Sequence, residues 1–348
     1  NQNRRNLKAL KEQLSIADMS FRKKLIELIA RTQSAYYDLA FALENEKIQC
    51  DAVNLAAEQL RRAQTEVESG RVAPIEVDAV EAEFERRKEI AISELMSITQ
   101  AENRLKNLIL HDPSSDEWNY QILPTDKISF LPEEIDLEQA IETAMKKRPE
   151  IEEMNLQEKI NRVEVDYMKN QAKPQIDVFY RFSTEGVAGG KDAPNFFNFK
   201  QQPDFIGGYA TALRNIFGFR TYEIGASFNI PFRNRTAKAN LTNALISSNQ
   251  IDIQKKQLLQ SILTEVRNAV QNLDVAAQRV EATASAVKAA EKQLIAEQVR
   301  FDVGLSTNYF VLEKQNNLSA ARSRQLRAIT DYIKARAELE KVIASNLP

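Results

Sequence analysis

Nine glycines serve a chain of 348 residues, and all but Gly70 and Gly304 fall between Gly186 and Gly225. Glycine is costly inside a helix and useful where the backbone must turn. The two long flanks are therefore free to be helical almost throughout, each with one built-in break, while the glycine-rich middle does something else. In the first flank the seam positions run Leu28, Thr32, Ala35, Leu39 and Ala42, then Val53, Ala56, Leu60 and Val67. Their spacing mostly alternates between three and four, as in a coiled-coil seam. Glu46 and Gln49 interrupt it, which reads as a locally wet seam. Residues 1–15 are polar and read as a helix start or frayed end, giving a first helix over about 15–69. Gly70 suits a left-handed cap and Pro74 the first turn of a return helix. That helix carries Val77, Val80, Phe84, Ala91, Leu95, Ile98, Leu105 and Leu108, and stops at His111-Asp112-Pro113.

The second flank repeats the first. Leu259, Ile262, Val266, Ala269, Leu273, Ala276, Val280, Thr283, Val287, Ala290 and Leu294 keep the same alternation. A break follows at Val303-Gly304-Leu305-Ser306-Thr307, and a return helix runs from Val311 to about Ala344. A gap-free shift of 234 residues lays Gly70 on Gly304 and Val77 on Val311. It also lays Leu39 on Leu273, Gln59-Leu60 on Gln293-Leu294 and Leu105 on Leu339. Alanine matches between heptad runs come by chance, but an aligned glycine break in constant register does not, so the chain holds an internal repeat. Helices over about 15–69 and 234–303 would be ~80 Å and ~105 Å long at 1.5 Å per residue.

Between the flanks the period changes to two. Ile176, Val178, Tyr180 and Phe182 alternate with Asp177, Phe179, Arg181 and Ser183 behind Pro174. Tyr222, Ile224, Ala226, Phe228 and Ile230 alternate with Glu223, Gly225, Ser227 and Asn229 ahead of Pro231. These are two strands with one apolar face each, the pattern of a barrel wall between lipid and water. Residues 186–221, with Phe196, Phe197, Phe199, Phe205, Tyr209, Phe217 and Phe219, read as the long loop joining them. Upstream, residues 114–135 read as an extended connector packed outside the helices. Asp136 caps a helix over 137–147, and Pro149 restarts another that leads to Pro174.

The expected fold is thus mainly α. Long antiparallel coiled-coil hairpins in two repeats form an α-barrel protomer, and a β-hairpin contributes to a transmembrane β-barrel. Its parts are a first helical hairpin (1–110), a connector and helix (111–173), the β-hairpin with its loop (174–233) and a second helical hairpin (234–348). The charges, 47 basic against 49 acidic, give no general attraction to nucleic acid. Asn1 opens no signal peptide, and no apolar run is long enough for a transmembrane helix. Cys50 is the lone cysteine and reads as a small buried or half-buried apolar residue rather than a reactive thiol. His111 is the lone histidine and has no partner with metal-ligand spacing, so no metal is expected. Nor is there a phosphate loop or a nucleophile–base arrangement, so neither catalysis nor a cofactor is expected.

With the motifs Asn229-Ile230-Pro231-Phe232-Arg233-Asn234-Arg235 and Phe301-Asp302-Val303-Gly304-Leu305-Ser306 in this order, nearly the whole chain resembles the TolC family of outer-membrane efflux channels. The resemblance implies a homotrimer with a β-barrel in outer-membrane lipid and an α-helical tunnel across the periplasm. It implies a passive conduit in a tripartite efflux or type I secretion system, fed by an inner-membrane pump and a periplasmic adaptor. It places adaptor docking at the helical tips, Gly70, Arg71 and Val72 with Val303, Gly304, Leu305, Ser306 and Thr307. It places a periplasmic constriction at Glu76, Glu313 and Phe310, the last where the family often has an acid. The membrane-facing strand residues would be Ile176, Val178, Tyr180, Phe182, Tyr222, Ile224, Phe228 and Ile230. Family members contribute one β-hairpin per repeat, whereas the first repeat here begins at its helix, so a missing signal sequence and first hairpin are expected. The competing reading is a soluble coiled-coil scaffold, for which an exposed apolar strand pair would be an aggregation hazard.

Overall fold

The computed structural model describes residues 2–71, 73–126, 128–189, 206–230 and 233–347. Four long helices dominate it: α1 (Gln2–Glu68), α2 (Pro74–Ile109), α6 (Arg235–Asp302) and α7 (Asn308–Val342), with α3 (Leu137–Lys147), α4 (Pro149–Gln171) and the short α5 (Tyr209–Arg214) between them. The strands are β1 (Gln175–Glu185) and β2 (Phe219–Asn229). The 234-residue shift carries Glu68 onto Asp302 and Pro74 onto Asn308, so α1 and α6 end, and α2 and α7 begin, at equivalent positions.

The chain divides into two compact units, residues 1–9 with 159–250 and residues 10–158 with 251–348. In the first unit β1 and β2 pair antiparallel over their full length, with Ile176 opposite Phe228, Val178 opposite Ala226, Tyr180 opposite Ile224 and Phe182 opposite Tyr222. The expected apolar residues therefore share one face. On it the Phe182 and Tyr222 rings lie 5.0 Å apart. The other face holds the directly opposed pair Arg181–Glu223 at 3.0 Å. Ile230 falls one residue beyond β2 and is 73% exposed, a correction to its place in the strand. Pairing ends at Gln175–Asn229 because Pro174, next in line on β1, has no N–H to offer. The joining segment is not all loop, since α5 interrupts it; Phe196, Phe197, Phe199 and Phe205 lie outside the described residues.

Of the two readings of residues 1–15, a helix start or a frayed end, the structure shows the first, with α1 helical from Gln2. In place of an apolar seam, a charged contact holds this end. Arg5 Nη1 donates to both carboxylate oxygens of Glu164 on α4, at 3.1 and 3.0 Å, and its guanidinium stacks over Tyr167.

In the second unit the α6 seam is buried as expected: Ile262, Val266, Ala269, Leu273, Ala276 and Val280 pack with Ala328, Tyr332, Leu339 and Val342 of α7 and Ala140 and Ala144 of α3. Nearer the turn, Val287 and Leu294 of α6 meet Val311, Leu318 and Ala321 of α7. The first repeat packs the same way, Ala35, Leu39 and Ala42 of α1 against Ala101 and Leu105 of α2. Alanine recurs at these contacts because it lets helix backbones approach closely on both sides. Leu28 and Leu95, expected in the seams, are 44% and 55% exposed. The buried stripe of α1 passes instead through Ile26 and Ala30, where Asn346, just past α7, donates to the Ile26 carbonyl.

The connector contains a 3₁₀ turn over Asp116–Asn119 and is otherwise irregular. It is pinned by Lys106 Nζ donating to the Trp118 carbonyl at 2.8 Å and by Phe130 packing edge-on to Tyr332. Asp136 caps α3 as expected, its carboxylate accepting from the Glu138 N–H at 3.0 Å. Among the described residues, no helix is long and apolar enough to cross a membrane.

Candidate functional site

The two turns have the same backbone. At the first, the Gly70 N–H donates to the Val67 carbonyl and Arg71 N–H to that of Glu66; at the second, Gly304 donates to Phe301 and Leu305 to Arg300. This pair of bonds is the Schellman ending of a helix, which needs a left-handed residue at the glycine position. Gly70 and Gly304 supply it with φ of 72° and 76°. An added Cβ would meet nothing within 4 Å at either glycine, so the requirement is conformational, not one of space.

The side chains around the turns differ. Arg71, Val303, Leu305 and Thr307 are exposed, Val303 and Leu305 by 64% and 72%, while Val72 lies outside the described residues. Ser306 is tied down, its Oγ donating to the buried Glu297 carboxylate on α6. The 234-residue shift puts Ala63 where Glu297 stands, so the first turn has no such bond.

Just beyond the turns, the first coils of α2 and α7 enclose a groove of about 630 Å³. Glu76 and Glu313 both line it, so the structure brings these two together. Phe310 does not. Its neighbour Tyr309 lines the groove instead, and Phe310 packs edge-on against that ring at 5.5 Å. One residue is a 100° turn of an α-helix, enough to move a side chain off the groove. Glu313 also carries a counterion, Lys314 Nζ at 3.1 Å.

Beneath the groove lies a polar cluster that joins α1, α2 and α7. Arg87 is 3% exposed. Its Nε donates to Glu83 Oε1 at 2.9 Å, Nη1 to the Ala52 carbonyl and Gln315 Oε1, and Nη2 to the Leu312 carbonyl. Glu83 also accepts from Arg86 and, at 2.6 Å, from Asn316 Nδ2. Gln59 of α1 donates to Asn308 at the start of α7. Further along, Ser323 of α7 accepts from Gln49 and donates to Asn45. Within the interruption expected at Glu46 and Gln49, Gln49 therefore makes a polar contact with α7, whereas Glu46 accepts from Cys50 on its own helix.

Periodicity does not mark Arg87, Gln59 or Asn308 as partners between helices. A signal for Arg87 was present: the α2 seam runs Val80, Phe84, Ala91, and the three–four alternation requires a member at 87 or 88. An arginine there has to find several acceptors, because a buried guanidinium left without them is strongly destabilising.

Burial alone would raise the Glu83 carboxyl, but hydrogen bonds from Arg86, Asn316 and Arg87 outweigh it and hold it at about 2, against an ordinary 4.5. A depressed carboxyl stabilises the fold above its unfolded value and loses that contribution as pH falls through the folded one. The native protein should therefore unfold more readily between pH 4.5 and 2. In denaturant titrations at pH 6 and pH 2.5 or so, the stability gap between native and Glu83→Gln proteins should shrink on acidification. A gap that does not change with pH would count against this role.

The Outer membrane efflux protein family model matches residues 140–345 of this chain. Sequence comparison with curated proteins gives no significant match. Solved outer-membrane proteins share the fold, three of them as follows. The VceC outer membrane protein of Vibrio cholerae superposes with a TM-score of 0.78 at 17% identity, over 98% of this chain and 75% of that one. The CmeC outer membrane channel of Campylobacter jejuni gives 0.73 at 16%, over 98% and 67%. The open-state MtrE outer membrane channel of Neisseria gonorrhoeae gives 0.72 at 18%, over 98% and 71%. At these identities the likeness establishes the fold.

Proposed function

The chain belongs to the outer membrane efflux protein family, and from that premise we propose that it is the outer-membrane conduit of a tripartite efflux or type I secretion system. It acts as a homotrimer, passes cargo without altering it, and receives that cargo from an inner-membrane pump through a periplasmic adaptor. The observation that carries this reading is the strand pair, which has one face apolar from Ile176–Phe228 to Phe182–Tyr222 and one mainly polar face. Ile176, Val178, Tyr180 and Phe182 with Tyr222, Ile224 and Phe228 are 46% to 77% exposed. Strands of 11 residues have the length of a membrane-spanning β-strand. In the assembled barrel these residues meet lipid, and the Arg181–Glu223 face lines water. A soluble scaffold would have no use for such a surface.

In this reading residues 1–110 and 234–348 are the tunnel repeats, 111–173 the connector around them and 174–233 the barrel segment. The adaptor docks on the two turns. Their common backbone and the exposed Val303, Leu305 and Arg71 support that assignment. The constriction is carried by Glu76 and Glu313, with Tyr309 taking the place expected for Phe310. Repeated around a threefold axis, such acids would favour cations.

Gly304→Val tests the docking assignment. A β-branched residue is a strong outlier at positive φ, so the turn should rearrange and efflux of a dye substrate should fall severalfold. The amount of protein in the outer membrane should not change, because the turn is remote in sequence from the strands. Gly304→Asn, which tolerates this conformation, should keep efflux. Normal efflux by the valine variant would remove the turn from the docking site.

A further inference from the structure

On the polar face of the hairpin, Phe179 stands directly opposite Gly225. Its ring lies across the glycine. A Cβ built on Gly225 would sit 2.5 Å from Cζ, 2.7 Å from Cε1 and 3.2 Å from Cε2. The first two distances are closer than non-bonded carbons can approach, so the ring occupies the space where any side chain at 225 would be. The packing shows in the exposure: Phe179 is 40% exposed, less than Phe182, Tyr222, Tyr180 or Phe228 on the opposite face. Its neighbours on its own face are polar: Asp177 with Ser227 opposite it, and the Arg181–Glu223 pair. A phenyl ring in that company reduces its contact with water by lying down on bare backbone, and glycine is the one residue that leaves the backbone bare.

We propose that Gly225 keeps the lumen of the barrel clear by giving the Phe179 ring a place to lie. Gly225 lets the ring lie along the wall, and any side chain at 225 lifts it into the lumen. The inference rests on the reading that the polar face lines the lumen.

Single-channel conductance of the assembled protein in planar lipid bilayers tests the pair. Valine suits a strand, so Gly225→Val should insert while lifting the ring, and conductance should fall by about twofold or more. The double variant Gly225→Val/Phe179→Ala should return to the parent value. Phe179→Ala alone should match the parent, because the native ring does not obstruct. An undiminished Gly225→Val channel, a double variant as low as the single, or a clear rise with Phe179→Ala alone would each overturn the proposal. The last needs no repacking at 225 and decides the matter if Gly225→Val fails to assemble. A separate arm tests the lumen reading. In a Cys50→Ser background, Arg181→Cys treated with a bulky water-soluble thiol reagent should lose conductance. No loss there sinks the lumen assignment, whereas loss there with an undiminished Gly225→Val channel sinks the pair alone.

Discussion

Replacing Arg87 with alanine is expected to loosen the helices around the groove by about 3 kcal/mol, the low end of the cost of breaking a buried ion pair. The low end applies because Glu83 keeps Arg86 and Asn316. What is lost is a group that ties α2 at once to the Ala52 carbonyl of α1 and to Leu312 and Gln315 of α7. The effect should be local. Amide hydrogen exchange over residues 80–91 and 308–320 should quicken by about a hundredfold, since each 1.4 kcal/mol is a factor of ten. Exchange over the α6–α7 core at Ile262, Leu273 and Tyr332 should stay at the native rate. Uniform quickening, or none, would show that Arg87 does not hold the three helices together.

The second large effect concerns the strands. Ile224 is the midpoint of β2 and is 77% exposed on the apolar face. Arginine there should cost about 2–4 kcal/mol if the site meets the middle of the bilayer. The yield of assembled protein in the outer-membrane fraction should drop accordingly. Ser227→Arg places the same charge on the other face, directly opposite Asp177, and should assemble normally. Equal behaviour of the two variants would mean that neither face meets lipid.

Much of this architecture was legible because the residues that mark its boundaries are few and chemically distinct. Gly70, Pro74 and Gly304 located the turns through backbone conformation alone, and Asp136 located the start of α3 through its side-chain cap. Period two gave the strand faces, and the pairing register kept them in phase. What stayed hidden depends on neighbours that periodicity does not name. Polar residues at seam positions look like interruptions until a second helix supplies their partners, as Ser323 does for Asn45 and Gln49 and as Leu312 and Gln315 do for Arg87. Tyr309 and Phe310 were separable only once the rotation of α7 against α2 was known. The ordered start of α1 rests on Arg5 and Glu164, a contact across 159 residues that no local pattern announces. The flat ring of Phe179 likewise needs the register that brings it over Gly225.

The most direct test is a cysteine scan of β1 in intact cells, in a Cys50→Ser background, read by labelling with a membrane-impermeant thiol reagent. Cysteines at Asp177, Phe179, Arg181 and Ser183 should be labelled through the water-filled lumen, and those at Ile176, Val178, Tyr180 and Phe182 protected by lipid. Labelling that ignores this alternation, whether uniform along the strand or absent throughout, would contradict a channel wall built from this strand pair.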